Sequence, residues 1–176
     1  LGTGSDGFDV SASGVIVGTL AVDDVSVAST SQSGDEITID FDMGEDSAAD
    51  EFNFKEGAGK DLIVIRNFVT DTDSIDYDGN SSNLTQQTMN VTAAASLIGD
   101  ALGLSSDPNV SDVTLNAGTA VTTFGSSIWI YNGDSYYLGG DIGGDSDGVF
   151  DAGETIFRFV GNTDFGDGGS SDLGDI

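Results

Sequence analysis

The sequence has no cysteine and no histidine, and only one proline, among its 176 residues. Without cysteine, disulfides cannot hold the fold and thiol chemistry is excluded. Without histidine, the chain lacks a common transition-metal ligand, the usual base of a catalytic triad and the side chain that most readily senses physiological pH. Oxygen ligands remain plentiful, and they favour calcium, magnesium or manganese.

Positive charge is also scarce. The chain has 31 acidic residues against four basic ones, which gives a formal net charge of −27. Nucleic acids and anionic membranes bind positive surfaces, so neither is expected as a partner. We expect bound cations to relieve the self-repulsion and to stabilise the fold. Adaptation to high salt is an alternative explanation, but the gathering of acids in glycine turns favours specific cation sites.

Long apolar runs are absent as well, so the sequence predicts no segment that spans a bilayer. Its apolar residues form short runs instead, and ten phenylalanines, four tyrosines and Trp129 can supply a core. Asn132-Gly133 lies between two such runs and predicts a tight β-hairpin turn, because both residues tolerate positive φ angles. Alternation with period two, or enrichment in β-branched residues, predicts strands at 15–20, 22–28, 36–41, 52–54, 62–65, 113–115, 120–124, 128–131, 136–138 and 156–160.

One alanine- and leucine-rich segment departs from this pattern. Over about 91–103 the apolar residues recur on one helical face, which predicts a helix packed on a sheet; a buried strand is the alternative. The sequence therefore predicts a mainly β fold, either a calcium-stabilised β-sandwich or a β-roll-like sheet, with one short α-helix. It predicts a single domain over 1–176, with a sub-boundary near 45–50.

The richest candidate site is the acidic run over 141–154. When Gly148 is aligned with the turn glycine of an EF-hand-type loop, four acids fall at the third, fifth, ninth and twelfth positions: Asp145, Asp147, Asp151 and Glu154. Asp141 lies two residues before the first position, so we expect a loop variant that opens with Asp141. Such closely spaced charges repel unless a hard cation lies among them, so the run predicts bound Ca²⁺. A solvated acidic hairpin turn is the alternative.

A second candidate cation site lies at an acidic segment earlier in the chain, with the ligands Asp71, Asp73, Asp76 and Asp78. Alternation places each pair of aspartates on one side of an extended segment, where oxygens from a turn and a strand can converge. A solvated edge strand is the alternative explanation of the same pattern.

Aromatic residues of the predicted hairpin form a candidate ligand-stacking face for a sugar: Trp129, Tyr131 and Tyr136. Cross-strand pairing within the hairpin explains the same residues more simply. Arg66 and Arg158 lie within apolar strand runs, and we expect each of them to pair with a carboxylate.

Four motifs follow one another along the chain: Asp50-Glu-Phe-Asn-Phe54, Gly57-Ala-Gly-Lys-Asp61, Ile65-Arg-Asn-Phe68 and Asp73-Ser-Ile-Asp76. With the alanine-rich helix, the aromatic hairpin and the Asp-Gly-Val-Phe-Asp-Ala-Gly loop, their order over about 50–165 resembles the C-terminal region of RTX-type proteins secreted by type I systems. The resemblance implies a calcium-bound β-roll or β-sandwich module outside the cell, as in S-layer proteins, adhesins and large exoproteins. The chain departs from the RTX nonapeptide repeat, since only Gly2–Phe8 approximates a copy.

Together these features predict a non-enzymatic, calcium-binding structural domain, extracellular or at the cell surface and exported by a type I-like route. We expect it to self-associate, as a homopolymer or surface lattice, or to serve in a large adhesin. One alternative is a calcium-dependent carbohydrate-binding module that contacts a cell-surface glycan. Another is the type I secretion-signal region of a larger exoprotein. An enzyme is not expected, because the acids lie in turns suited to metal binding and the sequence offers no nucleophile–base pair.

Overall fold

β-Strands make up most of the regular structure of this chain. A computed structural model describes residues 6–70, 72–77, 91–115, 128–138 and 150–164. Within them, α-helix α1 spans Val91–Ala101 and a short 3-10 helix spans Val110–Asp112. The strands are β1 (Asp6–Val10), β2 (Gly14–Val17), β3 (Asp24–Ser29), β4 (Glu36–Asp42), β5 (Glu51–Lys55), β6 (Lys60–Arg66), β7 (Ser74–Tyr77), β8 (Thr114–Leu115), β9 (Ile128–Tyr131), β10 (Asp134–Leu138) and β11 (Glu154–Phe159). The predicted mainly β fold with a short helix is confirmed, while the strand predicted at 120–124 lies outside the described residues.

The first seven strands alternate between two sheets. Strands β1, β3, β5 and β7 form a four-stranded sheet in which all neighbours are parallel. Strands β2, β4 and β6 lie side by side, also parallel, in a seven-stranded sheet. The chain therefore winds in stacked coils, each with one strand in each sheet. The pairing of β3 with β5 crosses the predicted sub-boundary near 45–50, so the residues on both sides belong to the same stack.

The C-terminal strands complete the seven-stranded sheet. Strand β11 enters beside β6 in parallel, and β10, β9 and β8 follow with antiparallel pairing. The turn between β9 and β10 is made by Asn132 and Gly133, whose φ angles are 51° and 86°. The hairpin predicted from the Asn-Gly pair is therefore confirmed.

Apolar side chains fill the space between the two sheets. In-register pairing places Ile39, Ile63 and Phe157 in one inward row, and all three are buried. The ring centroid of Phe157 lies 5.9 Å from that of Phe54 and 5.4 Å from that of Tyr77. This first core holds the two sheets face to face.

Helix α1 covers the opposite face of the seven-stranded sheet. Its buried residues Ala94, Leu97 and Ile98 lie on the face predicted from the sequence, and they pack with Trp129 in a second core. Strand β11 consequently buries side chains on both of its faces. None of the helices in the described ranges has the length and apolar character needed to cross a bilayer.

Replacing Phe157 with alanine should lower the free energy of unfolding by about 3–5 kcal/mol, because the fully buried ring would leave a cavity. Leu104→Ala is the matched control: this side chain is 43% exposed, so its truncation should change stability by less than about 0.5 kcal/mol. Urea denaturation followed by circular dichroism measures both. Equal losses in the two variants would contradict the assignment of the first core.

Candidate functional site

A row of buried aspartates lies along one corner of the coil stack. Asp23, Asp50 and Asp73 each stand immediately before a strand of the four-stranded sheet, and the register of β3, β5 and β7 aligns them. Their exposed fractions are 2%, 3% and 6%. We call this row the aspartate column.

Backbone amides bind the carboxylates of the aspartate column. Asp50 accepts from the N–H of Asp23 at 2.8 Å, and Asp73 accepts from the N–H of Asp50 at 3.1 Å. These two hydrogen bonds join each coil to the one before it. Asp23 and Asp73 also accept the amide four residues earlier, from Thr19 and Val69, and so close the preceding turn.

Negative charge is concentrated and partly dehydrated at this corner. Burial raises the pKa of Asp50, and the charges of Asp73, Asp46 and Asp23 raise it further against the opposing amide bond. Burial likewise raises the pKa of Asp73. Oδ2 of Asp46 is buried and has no hydrogen-bond partner among the described residues.

The aspartate column does not form a metal cage in this geometry. Within the described ranges, no group of three or more acidic side chains is arranged to hold a metal ion. The oxygens of the column are directed at amide donors instead. In this geometry the column links successive coils through hydrogen bonds.

Another buried carboxylate, that of Asp61, lies outside the column at the start of β6. It accepts from the hydroxyl of Ser29 at 2.9 Å and from the amide of Gly57 at 3.0 Å. Position 57 requires glycine, because a Cβ there would lie 2.2 Å from Oγ of Ser31. Burial raises the pKa of Asp61. The Gly57-Ala-Gly-Lys-Asp61 motif thus allows two neighbouring coils to approach closely and joins them by hydrogen bonds.

The end of the predicted calcium loop lies at the start of β11. Asp151 is exposed and Glu154 is buried, and the Glu154 carboxylate accepts the amide of Asp151. The amide of Gly153 donates to the carbonyl of Gly59 at 2.7 Å, which fixes this turn beside β6. Calcium binding by the loop stays a prediction, because its other proposed ligands lie outside the described residues: Asp141, Asp145 and Asp147.

The two described residues of the second predicted cation site, Asp73 and Asp76, lie in different surroundings. Asp73 belongs to the aspartate column, where both of its oxygens accept amides. Asp76 is exposed on β7, one of the two edge strands of the four-stranded sheet. Its surroundings agree with the alternative explanation, a solvated edge strand. Asp71 and Asp78 lie outside the described residues.

The aromatic residues of the hairpin are largely covered. Trp129 and Tyr136 pair directly across β9 and β10, and each is 1% exposed in the second core beneath α1. Tyr131 is partly buried against the same core. Buried rings offer no open face to a sugar, so the structure gives the stacking hypothesis no support at Trp129 and Tyr136. The structure instead contains the cross-strand pairing that was the simpler explanation of these residues.

Both arginines pair with carboxylates, as predicted. Arg66 donates two hydrogen bonds of 2.8 Å to Asp40, and Arg158 donates to Asp134 at 2.8 and 2.6 Å. These ion pairs connect β6 with β4 and β11 with β10. The Arg66 pair is exposed enough that it contributes little to stability.

Comparisons with protein-family models, curated proteins and solved structures gave no match to this chain. The resemblance to RTX-type proteins remains an expectation.

The aspartate column was not predicted from the sequence. Its members are separated by 27 and 23 residues, so no fixed period marks them. The available signal is local: Asp23, Asp50 and Asp73 each directly precede a short strand, and each follows a turn. That signal becomes informative only when the strands are known to be neighbours in one sheet.

Asp50→Ala should lower the free energy of unfolding by about 1–3 kcal/mol, because it leaves the buried amide of Asp23 without an acceptor. Asp50→Asn keeps an acceptor oxygen and removes a charge that burial disfavours, so we expect it to be neutral or stabilising at pH 7. Chemical denaturation in EGTA measures both variants. Equal destabilisation would show that the acceptor at Asp50 is not what holds the coils.

Asp61 should make stability depend on pH. A carboxyl with a higher pKa in the folded than in the unfolded state favours folding when protonated, so its contribution declines as pH rises from about 4 through the folded pKa. Wild type should therefore lose stability relative to Asp61→Asn as the pH rises from about 4 through the folded pKa, by about 1.4 kcal/mol per unit of pKa difference. Urea denaturation in EGTA measures both proteins, and Asp100→Asn, which removes an exposed charge from α1, is the control for the change in net charge. A difference between wild type and Asp61→Asn that is constant with pH would refute the assigned pKa shift.

Proposed function

We propose that this chain is a non-enzymatic structural domain of an extracellular or cell-surface protein, stabilised by calcium and able to self-associate. The observation that carries the proposal is the aspartate column, which ties successive parallel coils together through buried acid–amide hydrogen bonds. A stack in which each coil supports the next is suited to a rigid scaffold. The buried acids Asp50, Asp61 and Asp73 are engaged in these structural bonds, which favours a scaffold over a catalyst.

The strand order supports a β-roll-like form over a β-sandwich. In a sandwich built from hairpins, many consecutive strands pair within the same sheet. Here consecutive strands of the first seven lie in different sheets and pair in parallel with the neighbouring coils. Glycine–aspartate turns at the corners add to the resemblance to RTX-type modules.

Electrostatics support the calcium part of the proposal. The chain carries a net charge of −27, and burial raises the pKa of Asp50, Asp61 and Asp73, so ionised carboxylates are costly in the ion-free fold. Calcium takes six to eight oxygen ligands, as the acids of 141–154 can provide. Since the turn at Asp151–Glu154 is fixed beside β6, a cation bound there would be coupled directly to the seven-stranded sheet.

Calcium at about 100 times its Kd should raise the free energy of unfolding by about 2.7 kcal/mol, equivalent to roughly 5–10 °C in melting temperature. Calorimetry of the chain in calcium, in magnesium and in EGTA at one ionic strength measures the effect. Magnesium should do less, because it demands octahedral geometry and dehydrates reluctantly. A melting temperature that calcium leaves unchanged would defeat this part of the proposal.

Two substitutions in the loop locate the calcium effect. Asp145→Asn and Asp147→Asn should each lose most of the calcium-dependent rise in melting temperature. Asp100→Asn changes the net charge equally on the exposed side of α1 and should retain the rise. If all three variants behave alike, calcium acts by general screening of the charge and not at 141–154.

A further inference from the structure

Asn132 and Gly133 form the only Asn-Gly pair in the chain. They make the two-residue turn between β9 and β10, and both are exposed to solvent. In such a pair the backbone amide of the glycine can attack the asparagine side chain that precedes it, because glycine has no Cβ to obstruct the approach. The surroundings are open as well, since a Cβ built at Gly133 would meet nothing within 4 Å. The turn is therefore a candidate site for a covalent change.

The reaction available to this pair is deamidation through a cyclic imide. The nitrogen of Gly133 forms a bond with Cγ of Asn132, the bond from Cγ to Nδ2 breaks, and ammonia leaves with the proton from Gly133. Water then opens the imide on either side of its nitrogen. Cleavage of the bond to Cγ gives aspartate, whereas cleavage of the bond to the backbone carbonyl carbon gives isoaspartate, whose main chain is longer by one carbon. Water is the only co-reactant that the sequence of steps requires.

The folded turn opposes the first of these steps. The φ angles of Asn132 and Gly133, 51° and 86°, are those of a type I′ turn, in which ψ of the first residue is about 30°. Tetrahedral geometry at Cα then sets the torsion angle Cβ–Cα–C–N of Asn132 at about 150°. The nitrogen of Gly133 lies almost opposite Cβ, whereas closure of a five-membered ring needs a torsion angle near zero. Asn132 must therefore leave the turn conformation before the imide can form.

Contacts around the turn hold it in that conformation. The Asp134 carboxylate accepts from Arg158 at 2.8 and 2.6 Å and from the amide of Gly161 at 2.9 Å, which ties the start of β10 to β11 and to the residues after it. Further along the hairpin, Trp129 and Tyr136 pair across the strands and are buried beneath α1. Separation of β9 from β10 thus requires both the loss of these hydrogen bonds and the exposure of apolar surface.

We propose that Asn132 is a site of spontaneous deamidation that the folded hairpin protects, so that the modification occurs in molecules whose β9 and β10 have separated. Aspartate tolerates a positive φ angle, so the aspartate product can form the turn again. Isoaspartate lengthens a two-residue turn whose length sets the register of the strands, and it should keep the hairpin open. The modification thus makes a transient opening permanent. The inference is independent of calcium binding and of self-association.

Peptide mapping by mass spectrometry of the full chain, incubated at one pH and temperature with and without guanidinium chloride, measures deamidation. Asn132 should react at least about tenfold faster in the denaturant, because the folded chain must first open the hairpin. Asn109 and Asn162 are internal controls. They precede Val110 and Thr163, whose branched side chains crowd the attacking amide, so both should react much more slowly than Asn132 in the denaturant.

Two variants test the role of the hairpin in the folded chain. Asp134→Ala removes the acceptor of Arg158 and Gly161 and should speed deamidation of Asn132 about fivefold or more. Asp40→Ala removes the partner of the other arginine, Arg66, between β4 and β6, and should leave the rate unchanged. If Asp134→Ala does not fold, the comparison of wild type with and without denaturant decides alone.

Three results would overturn the proposal: equal rates at Asn132 with and without denaturant, a rate at Asn132 no faster than that at Asn109 in denaturant, or equal acceleration by the two variants. The isoaspartate form gives a further test through Trp129, the only tryptophan. Its fluorescence should shift to longer wavelength in that form and remain native in Asn132→Asp. A native spectrum in the isoaspartate form would show that the longer turn does not keep the hairpin open.

Discussion

Hydrogen bonds from backbone amides to buried aspartates determine how the coils of this chain stack. Asp50 and Asp73 each accept an amide from the coil before, so a shifted strand would leave a buried carboxylate and a buried amide unpaired. Apolar alternation alone does not exclude a slip by two residues, because the same face stays inward. The aspartate column supplies that missing constraint. The inward row of Val25, Phe52 and Ile75, two residues after the column in β3, β5 and β7, depends on the register that it sets.

The same bonds carry an electrostatic cost. The basic side chains Arg66 and Arg158 neutralise Asp40 and Asp134, whereas the pKa values of Asp50 and Asp73 are governed by burial, amides and other acids. The column thus holds its carboxylates near amide dipoles and not near full positive charges. A fold of this kind is sensitive to the ions around it, because screening or binding of cations acts on charges that the protein itself leaves uncompensated.

Local features were predictable from the sequence, and long-range pairing was not. The helix, the Asn132-Gly133 turn and most strands follow from patterns within about ten residues, which propensity and periodicity report directly. The pairing of Arg66 and Arg158 with carboxylates was predictable from their positions within apolar strand runs, but which acids they pair with was not. The aspartate column depends on which strands are neighbours. Its members are unequally spaced along the sequence, so no repeat period indicates them. The burial of Trp129 depends on where α1 packs, which the hairpin sequence does not contain.

The two ends of the coil stack are finished in different ways. Beside β6, strand β11 continues the parallel register, and β10 then reverses direction, so the antiparallel hairpin ends the repeat of parallel coils. Helix α1 covers this end of the seven-stranded sheet as well, as a capping element does in other stacked architectures. At the opposite end, β2 has neither a reversing hairpin nor a covering helix among the described residues. The repeat of parallel coils thus stops where β10 reverses direction, and the helix and hairpin together bury the outer face of the sheet at that end.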